Sequence, residues 1–297
     1  MERVLTCILN NRAGSNNAAE ALALIIKVAA ERGWEARFPH CSGATNINLL
    51  AVEARAVGGL VVAGGGDGTV SAVAAALVDT DTALGVLPMG TLNHFAKDLG
   101  IPLKLEEAVQ TLFAGKIVRV DVGDVNGRIF LNNSSIGFYP RIVQTREHEQ
   151  RRGRSKWVAF ALAAATVVRK SRTLSVELDR DHSQSRFYDT PFVFIGNNRY
   201  QVAGLEIGTR ATLDGGKLWV CAAPNATRLT LFALAVQALL GLVRDADLAA
   251  FETSQIVVNV RRDHVRVATD GEVNLMRTPL SYRSRPGALR VVAPAAD

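Results

Sequence analysis

Leu60-Val61-Val62-Ala63-Gly64-Gly65-Gly66-Asp67-Gly68-Thr69-Val70 is the stretch on which the reading of this chain turns. The apolar run predicts a buried strand. It stops in a glycine cluster holding one acid and one hydroxyl, and the alanine-rich segment Ser71 to Val78 predicts a helix. Strand, glycine loop and helix together point free backbone N–H groups at an anion. Without Cβ atoms, Gly64, Gly65, Gly66 and Gly68 let the backbone come close to phosphate oxygens. Asp67 would repel a bare phosphate, so a phosphate here requires a divalent cation between the two. No Gly-Lys-Ser/Thr ending follows, which excludes a Walker A loop. The plainer alternative is a strained turn between strand and helix.

Working outward toward the N-terminus, residues 4–9 predict a buried strand and Asn10-Asn11-Arg12-Ala13-Gly14-Ser15 a loop. A helix is expected from Asn17 to Ala30, ending near Gly33. A second strand follows from Trp34 to Phe38 and a second helix from Ile47 to Ala56. This βαβαβ rhythm argues for a parallel sheet covered by helices. Ligands of such open sheets bind beyond the carboxyl ends of the strands, where both loops would lie. On the C-terminal side, residues 84–87 predict another strand and Leu105 to Leu112 a short helix.

The texture then changes. Val118, Val120 and Val122 alternate with polar residues, Asn126-Gly127 is a hairpin signal, and Ile129 to Asn132 continues as the partner strand. From about residue 125 the strands are short and alternating: Leu174-Val176-Leu178, Phe192-Phe194, Leu218-Val220, Ile256-Val258-Val260 and Val265-Val267. That pattern predicts an antiparallel, sandwich-like second domain. Two helices interrupt it, Trp157 to Val168 and Leu229 to Val243. They read as covers of the sandwich core. A sharper alternative has one of them lining an acyl-chain cleft while Arg151, Arg152, Arg154 and Lys156 meet acidic head groups.

Composition bounds the partners. The 297 residues suffice for two cores, and 48% apolar with 21% charged residues excludes a disordered chain. A net charge of +6 and a pI near 9.5 suit an anionic partner: nucleotide, acidic lipid surface or nucleic acid. Three scattered cysteines (Cys7, Cys41, Cys221) give neither a disulfide framework nor a zinc site, which suggests a reducing cytosol. The first residues lead straight into a strand without the pattern of a secretory leader, and no apolar run is long enough to span a bilayer.

Several motifs carry a family resemblance. Gly65-Gly66-Asp67-Gly68-Thr69 resembles the GGDGT signature of the superfamily of diacylglycerol-type lipid kinases, NAD kinases and, more distantly, phosphofructokinases. The loop from Asn10 resembles the first nucleotide-contacting loop of the lipid kinases, Asn-Pro-x-Ser/Ala-Gly, with Asn11 replacing proline. Pro88-Met89-Gly90-Thr91-Leu92-Asn93-His94-Phe95-Ala96 resembles their block Pro-x-Gly-Thr-x-Asn-Asp-Phe-Ala, which NAD kinases lack. In it Gly90 permits close approach to a phosphate, and Thr91 and Asn93 can donate to it or cap a helix. His94 stands at the family's aspartate position. Leu213-Asp214-Gly215-Gly216-Lys217-Leu218-Trp219-Val220 resembles Leu-Asp-Asp-Gly-x-Leu-x-Val, with Gly215 in place of the second acid of a pair that helps hold a structural Mg²⁺. A plain hairpin turn is the alternative for Asp214-Gly215-Gly216. Asp121 matches a family acid that either faces the metal site or lies on the polar face of a strand. Asp270-Gly271-Glu272 resembles the family's Asp-Gly-Glu, whose glutamate is the general base a poorly nucleophilic lipid hydroxyl needs. The motifs fall in the family order over nearly the whole chain.

The resemblance implies an ATP- and Mg²⁺-dependent lipid kinase of the diacylglycerol kinase catalytic family, which also includes sphingosine and ceramide kinases. Residues 1–124 would form an α/β ATP-binding domain to which a final strand at about 286–297 returns. Residues 125–285 would form the β-rich lipid-acceptor domain. Asn10, Gly64, Gly65, Gly66, Asp67, Gly68, Thr69, Gly90, Thr91 and Asn93 would contact the nucleotide. Asp67, Asp121 and Asp214 would serve metal, and Glu272 with Asp67 would be catalytic, Asp270 being structural in the turn. The implied partners are ATP and a lipid substrate at a membrane surface, with no nucleic acid, in a cytoplasmic, peripherally membrane-bound protein compatible with a homodimer. The rivals are a kinase of a soluble acceptor such as NAD and a nucleotide-binding regulatory protein without catalysis.

Overall fold

The computed structural model describes residues 3–10, 17–40, 46–137, 173–180, 184–200, 210–226, 230 and 249–295. The expected helix Trp157 to Val168, the basic residues Arg151 to Lys156 and, apart from Thr230, the expected helix Leu229 to Val243 lie outside them. In chain order the elements are β1 (Val4–Leu9), α1 (Asn17–Arg32), β2 (Glu35–Arg37), α2 (Ile47–Val57), β3 (Leu60–Gly65), α3 (Asp67–Leu77), β4 (Ala83–Pro88), α4 (His94–Asp98), α5 (Leu105–Ala114) and β5 (Lys116–Val125). They continue with β6 (Arg128–Phe130), β7 (Asn133–Gly137), β8 (Leu174–Arg180), β9 (Gln184–Thr190), β10 (Phe192–Asn197) and β11 (Leu218–Ala222). The last five are β12 (Ala249–Thr253), β13 (Gln255–Val260), β14 (His264–Thr269), β15 (Glu272–Arg277) and β16 (Leu280–Ala293).

The chain forms two units. The first holds residues 1–122, Thr212–Gly215 and Arg285–Asp297; the second holds Gly123–Ala211 and Gly216–Ser284. In the first, β2, β1, β3, β4 and the C-terminal part of β16 lie side by side, all parallel, with Arg290 opposite Ala83. Strands covered on both faces must be apolar throughout, and every residue of β3 is buried. Helix α2 packs with α3 and α1 with α5, where Trp34 meets Phe113 edge-on.

The second unit is antiparallel. One sheet has the order β12-β11-β10-β7-β14-β15; a second ladder joins the start of β16 to β13, β8 and β9. Side chains facing inward from both, among them Phe130, Ile136, Val176, Val193, Val258, Val267 and Tyr282, form one buried core. Asn126-Gly127 and Asp270-Gly271 are two-residue hairpin turns in which all four residues have positive φ. Asn-Gly and Asp-Gly are the pairs that accept this geometry most readily. The predicted α/β first half with its parallel sheet and the sandwich-like second half are both present.

The main local correction concerns α3, which starts at Asp67 and not at Ser71. Gly66 is its extended N-cap, and Thr69 and Val70 donate their N–H groups to the Gly66 carbonyl at 2.9 and 3.1 Å. The signature Asp67-Gly68-Thr69 is therefore the first helical turn. An acid is favoured there by the helix dipole even though glycine and threonine are weak helix formers.

Candidate active site

The glycine segment is assembled from three stretches of the first unit. Asn10, just past β1, donates its N–H to the Gly64 carbonyl at 2.8 Å and its side-chain amide to Thr69 Oγ1 at 2.9 Å. Met89 N–H reaches the Gly65 carbonyl at 3.1 Å. The rest of the loop from Asn11 to Ser15 lies outside the described residues. The glycines differ in what they do. A Cβ at Gly64 would strike the Leu9 side chain at 2.5 Å, and one at Gly65 would strike Thr69 Oγ1 at 2.6 Å. A Cβ at Gly66 would meet only the Cα of Gly90, at 3.5 Å. Packing thus accounts for Gly64 and Gly65, whereas among the described residues a Cβ at Gly66 would make only an ordinary contact, which leaves close approach of a ligand as a use for the missing side chain.

Helix α3 satisfies the N–H groups of Thr69 and Val70 and leaves those of Asp67 and Gly68 without an acceptor inside the helix. Beside them Asp67 Oδ1 accepts the N–H of Phe95 at 3.3 Å, capping α4, which has no side-chain cap of its own. Asp67 Oδ2 has no hydrogen-bond partner among the described residues. One carboxylate oxygen next to N–H groups without helical acceptors suits Mg²⁺ carried by a polyphosphate, because Mg²⁺ keeps most of its shell for water and phosphate.

The Pro88 block divides in the same way. Asn93 takes the left-handed conformation with φ of 51°. Its Oδ1 accepts from Gly90 N–H at 3.0 Å, and its Nδ2 donates to the carbonyls of Gly90 and Pro88 at 2.9 and 3.4 Å. The amide is committed to shaping its own loop and caps no helix. Thr91 is exposed, and His94 is half-buried at the first position of α4.

The other acids do not join Asp67. Asp121 is 1% exposed, with Oδ1 accepting Gly287 N–H at 2.8 Å. Its N–H donates to the Leu213 carbonyl at 2.7 Å, which brings exposed Asp214 into its neighbourhood. Among the described residues no three Asp, Glu, His or Cys side chains gather as a metal-binding group. Two carboxylates, one of them already bonded to a backbone N–H, do not fit a tightly held second ion.

In the second unit the Asp-Gly-Glu stretch is the β14–β15 turn, with Thr269 and Glu272 as its closing pair. Asp270 accepts three backbone N–H groups, from Leu131 and Asn132 at 2.8 Å and Asn133 at 3.1 Å. Glu272 projects beside it, 59% exposed, with Oε2 2.7 Å from Arg128 Nη2. Buried Arg210 donates to the carbonyls of Leu131 and Asn197 at 2.6 and 3.0 Å and to Asn132 Oδ1 at 3.0 Å. The Leu131–Asn133 segment is thus gripped through its N–H groups by Asp270 and through its oxygens by Arg210. Neither Arg128 nor Arg210 is marked by spacing or motif, so sequence reading passes over both.

Residues 4–125 match the family described as the diacylglycerol kinase catalytic domain, and residues 136–293 match the YegS C-terminal NAD kinase beta sandwich-like domain. A protein named probable lipid kinase YegS-like from Pseudomonas syringae is 30% identical over 89% of this chain and 86% of its own length. The chain belongs to the diacylglycerol kinase catalytic family of lipid kinases. The probable lipid kinase YegS of Escherichia fergusonii is also 30% identical, over 71% of each chain. A crystal structure of a diacylglycerol kinase from Bacillus anthracis superposes with a TM-score of 0.73 at 20% identity, covering 98% of this chain and 97% of that one, a likeness of fold. No helix among the described residues is long and apolar enough to cross a membrane.

Proposed function

We propose that this lipid kinase uses ATP and Mg²⁺ to phosphorylate a hydroxyl of a lipid such as diacylglycerol, working at a membrane surface. The observation that carries the reading is the start of α3. Among the described residues a Cβ at Gly66 would make only an ordinary contact, the N–H groups of Asp67 and Gly68 lack helical acceptors, and Asp67 Oδ2 is uncommitted. Bound Mg²⁺ supplies charge neutralisation on the phosphate oxygens during transfer. The N–H groups at the helix start hold the phosphates, and Asp67 orients the ion-bearing polyphosphate. Asn10 and Asn93 shape the surrounding loops through the bonds described above.

In the transfer itself the lipid oxygen forms a bond to the γ-phosphorus as the bond to the bridging oxygen of ADP breaks. Glu272 takes the hydroxyl proton and later returns it to solvent. Asp270 holds the turn that presents Glu272. The testing experiment is transfer of labelled γ-phosphate with Mg²⁺ to lipids in mixed micelles, compared with NAD and with no acceptor. Label on a lipid product supports the proposal. Label on NAD, or ATP turnover without an acceptor, contradicts it.

A further inference from the structure

Glu272 is the first residue of β15, an edge strand of its sheet, and more than half of its side chain is exposed. Several freely rotating torsions separate its carboxylate from the backbone. A base so placed would sample many directions unless something fixed it, and misplacement by about 1 Å is enough to cost a reaction some 100-fold. Among the described residues Glu272 has one polar side-chain partner, Arg128.

Arg128 comes from β6. Its Nη2 donates to Glu272 Oε2 at 2.7 Å and its Nε to Thr269 Oγ1 at 2.9 Å. Thr269 and Glu272 close the hairpin, so one planar guanidinium grips both ends of the Asp270-Gly271 turn. Two fixed points on a rigid plane set direction as well as distance, which the point charge of a lysine would not do. Holding the turn does not require this: Asp270 already ties it to the Leu131–Asn133 backbone. An exposed ion pair also adds little stability. Glu272 Oε1 is left without a hydrogen-bond partner among the described residues.

We infer that Arg128 is a positioning residue for the general base, holding Glu272 Oε2 so that Oε1 faces the acceptor hydroxyl. The inference rests on the reading of Glu272 as that base.

A double-mutant cycle on the full-length protein tests it, with labelled ATP, Mg²⁺ and diacylglycerol in mixed micelles. Arg128→Met keeps the stem and removes every donor. It lowers kcat about 10- to 100-fold, with the KM for ATP within about twofold of wild type. In a Glu272→Gln background the same change lowers kcat less than about threefold, because the group it serves is already gone. Arg128→Lys recovers part of the loss. An equal fold-loss in both backgrounds, or none in either, overturns the inference while leaving Glu272 as the base. A Glu272→Gln protein with wild-type kcat overturns the base assignment itself and is seen before Arg128 is changed. Should Arg128→Met not fold, Thr269→Val removes the second fixed point. It then lowers kcat in the wild-type background and not in Glu272→Gln, and an unchanged kcat in both overturns the inference.

Discussion

A Cβ placed on Gly90 would lie 2.4 Å from the Cα of Gly66, so the loops that follow β3 and β4 touch backbone to backbone. Gly90→Ala forces them apart and destabilises the protein by about 1–3 kcal/mol, the usual range for overpacking. Gly66→Ala adds a Cβ at an ordinary 3.5 Å and keeps stability within about 0.5 kcal/mol of wild type. The larger Gly66→Val blocks nucleotide binding, because the side chain fills the space a phosphate would use. Urea melts and calorimetric titration with ATP separate the effects. A Gly90→Ala protein as stable as wild type would contradict the packing account, and normal ATP affinity in Gly66→Val would contradict the ligand account.

Asp67 has two jobs that one substitution pulls apart. Asp67→Asn retains an oxygen to accept from Phe95 N–H, so α4 keeps its cap, but loses the charge that attracts Mg²⁺. The expected result is an unchanged melting curve with turnover reduced at least ~100-fold. Asp67→Ala removes the cap as well and costs about 1 kcal/mol of stability. Near-normal activity of Asp67→Asn in Mg²⁺ would remove the metal role.

Much of this was legible in the chain. The short apolar runs of β1, β3 and β4 read as strands covered on both faces, and Asn126-Gly127 announced its hairpin. Strands β9, β12 and β15 were not legible. Exposed or partly exposed strands lack clean alternation; Gln184–Thr190 is largely polar, and Phe187 points outward. The site motifs were readable as motifs, but the division of labour within them was not. Gly65 serves Thr69, Asn93 serves its own loop, and Asp270 serves the Leu131–Asn133 backbone. The first two depend on how a short loop closes on itself, and the third on which distant backbone the fold brings alongside. The ion pair of Arg128 with Glu272 joins residues far apart in sequence and has no local signal at all.

Asp270 should prove a stability residue. Its carboxylate accepts three backbone N–H groups, which would be left without acceptors in Asp270→Ala. A residue with φ of 48° also tolerates alanine poorly. The expected loss is about 2–4 kcal/mol by urea denaturation. Asp270→Asn, which keeps one acceptor oxygen and accepts the left-handed backbone, should lose roughly half as much. A change below ~0.5 kcal/mol in Asp270→Ala would show that the turn does not rely on these bonds.

The neighbourhood of Asp121 and Asp214 predicts weak metal binding. Extensively dialysed protein should hold little Mg²⁺ in the absence of nucleotide, and Gly215→Asp should raise the affinity by adding a carboxylate beside Asp214. Elemental analysis and equilibrium dialysis measure both. A stoichiometric ion in the dialysed wild type would contradict this reading.

The central claim is that Glu272 removes the proton from a lipid hydroxyl, and Glu272→Gln tests it most directly. Glutamine keeps the size and can still accept from Arg128, but it cannot take up a proton at working pH. The account predicts that kcat for labelled phosphate transfer to diacylglycerol falls by about 10²–10⁴, the contribution of a positioned general base, while ATP affinity stays within about twofold. A wild-type kcat in Glu272→Gln, or a loss confined to the KM for ATP, would contradict it.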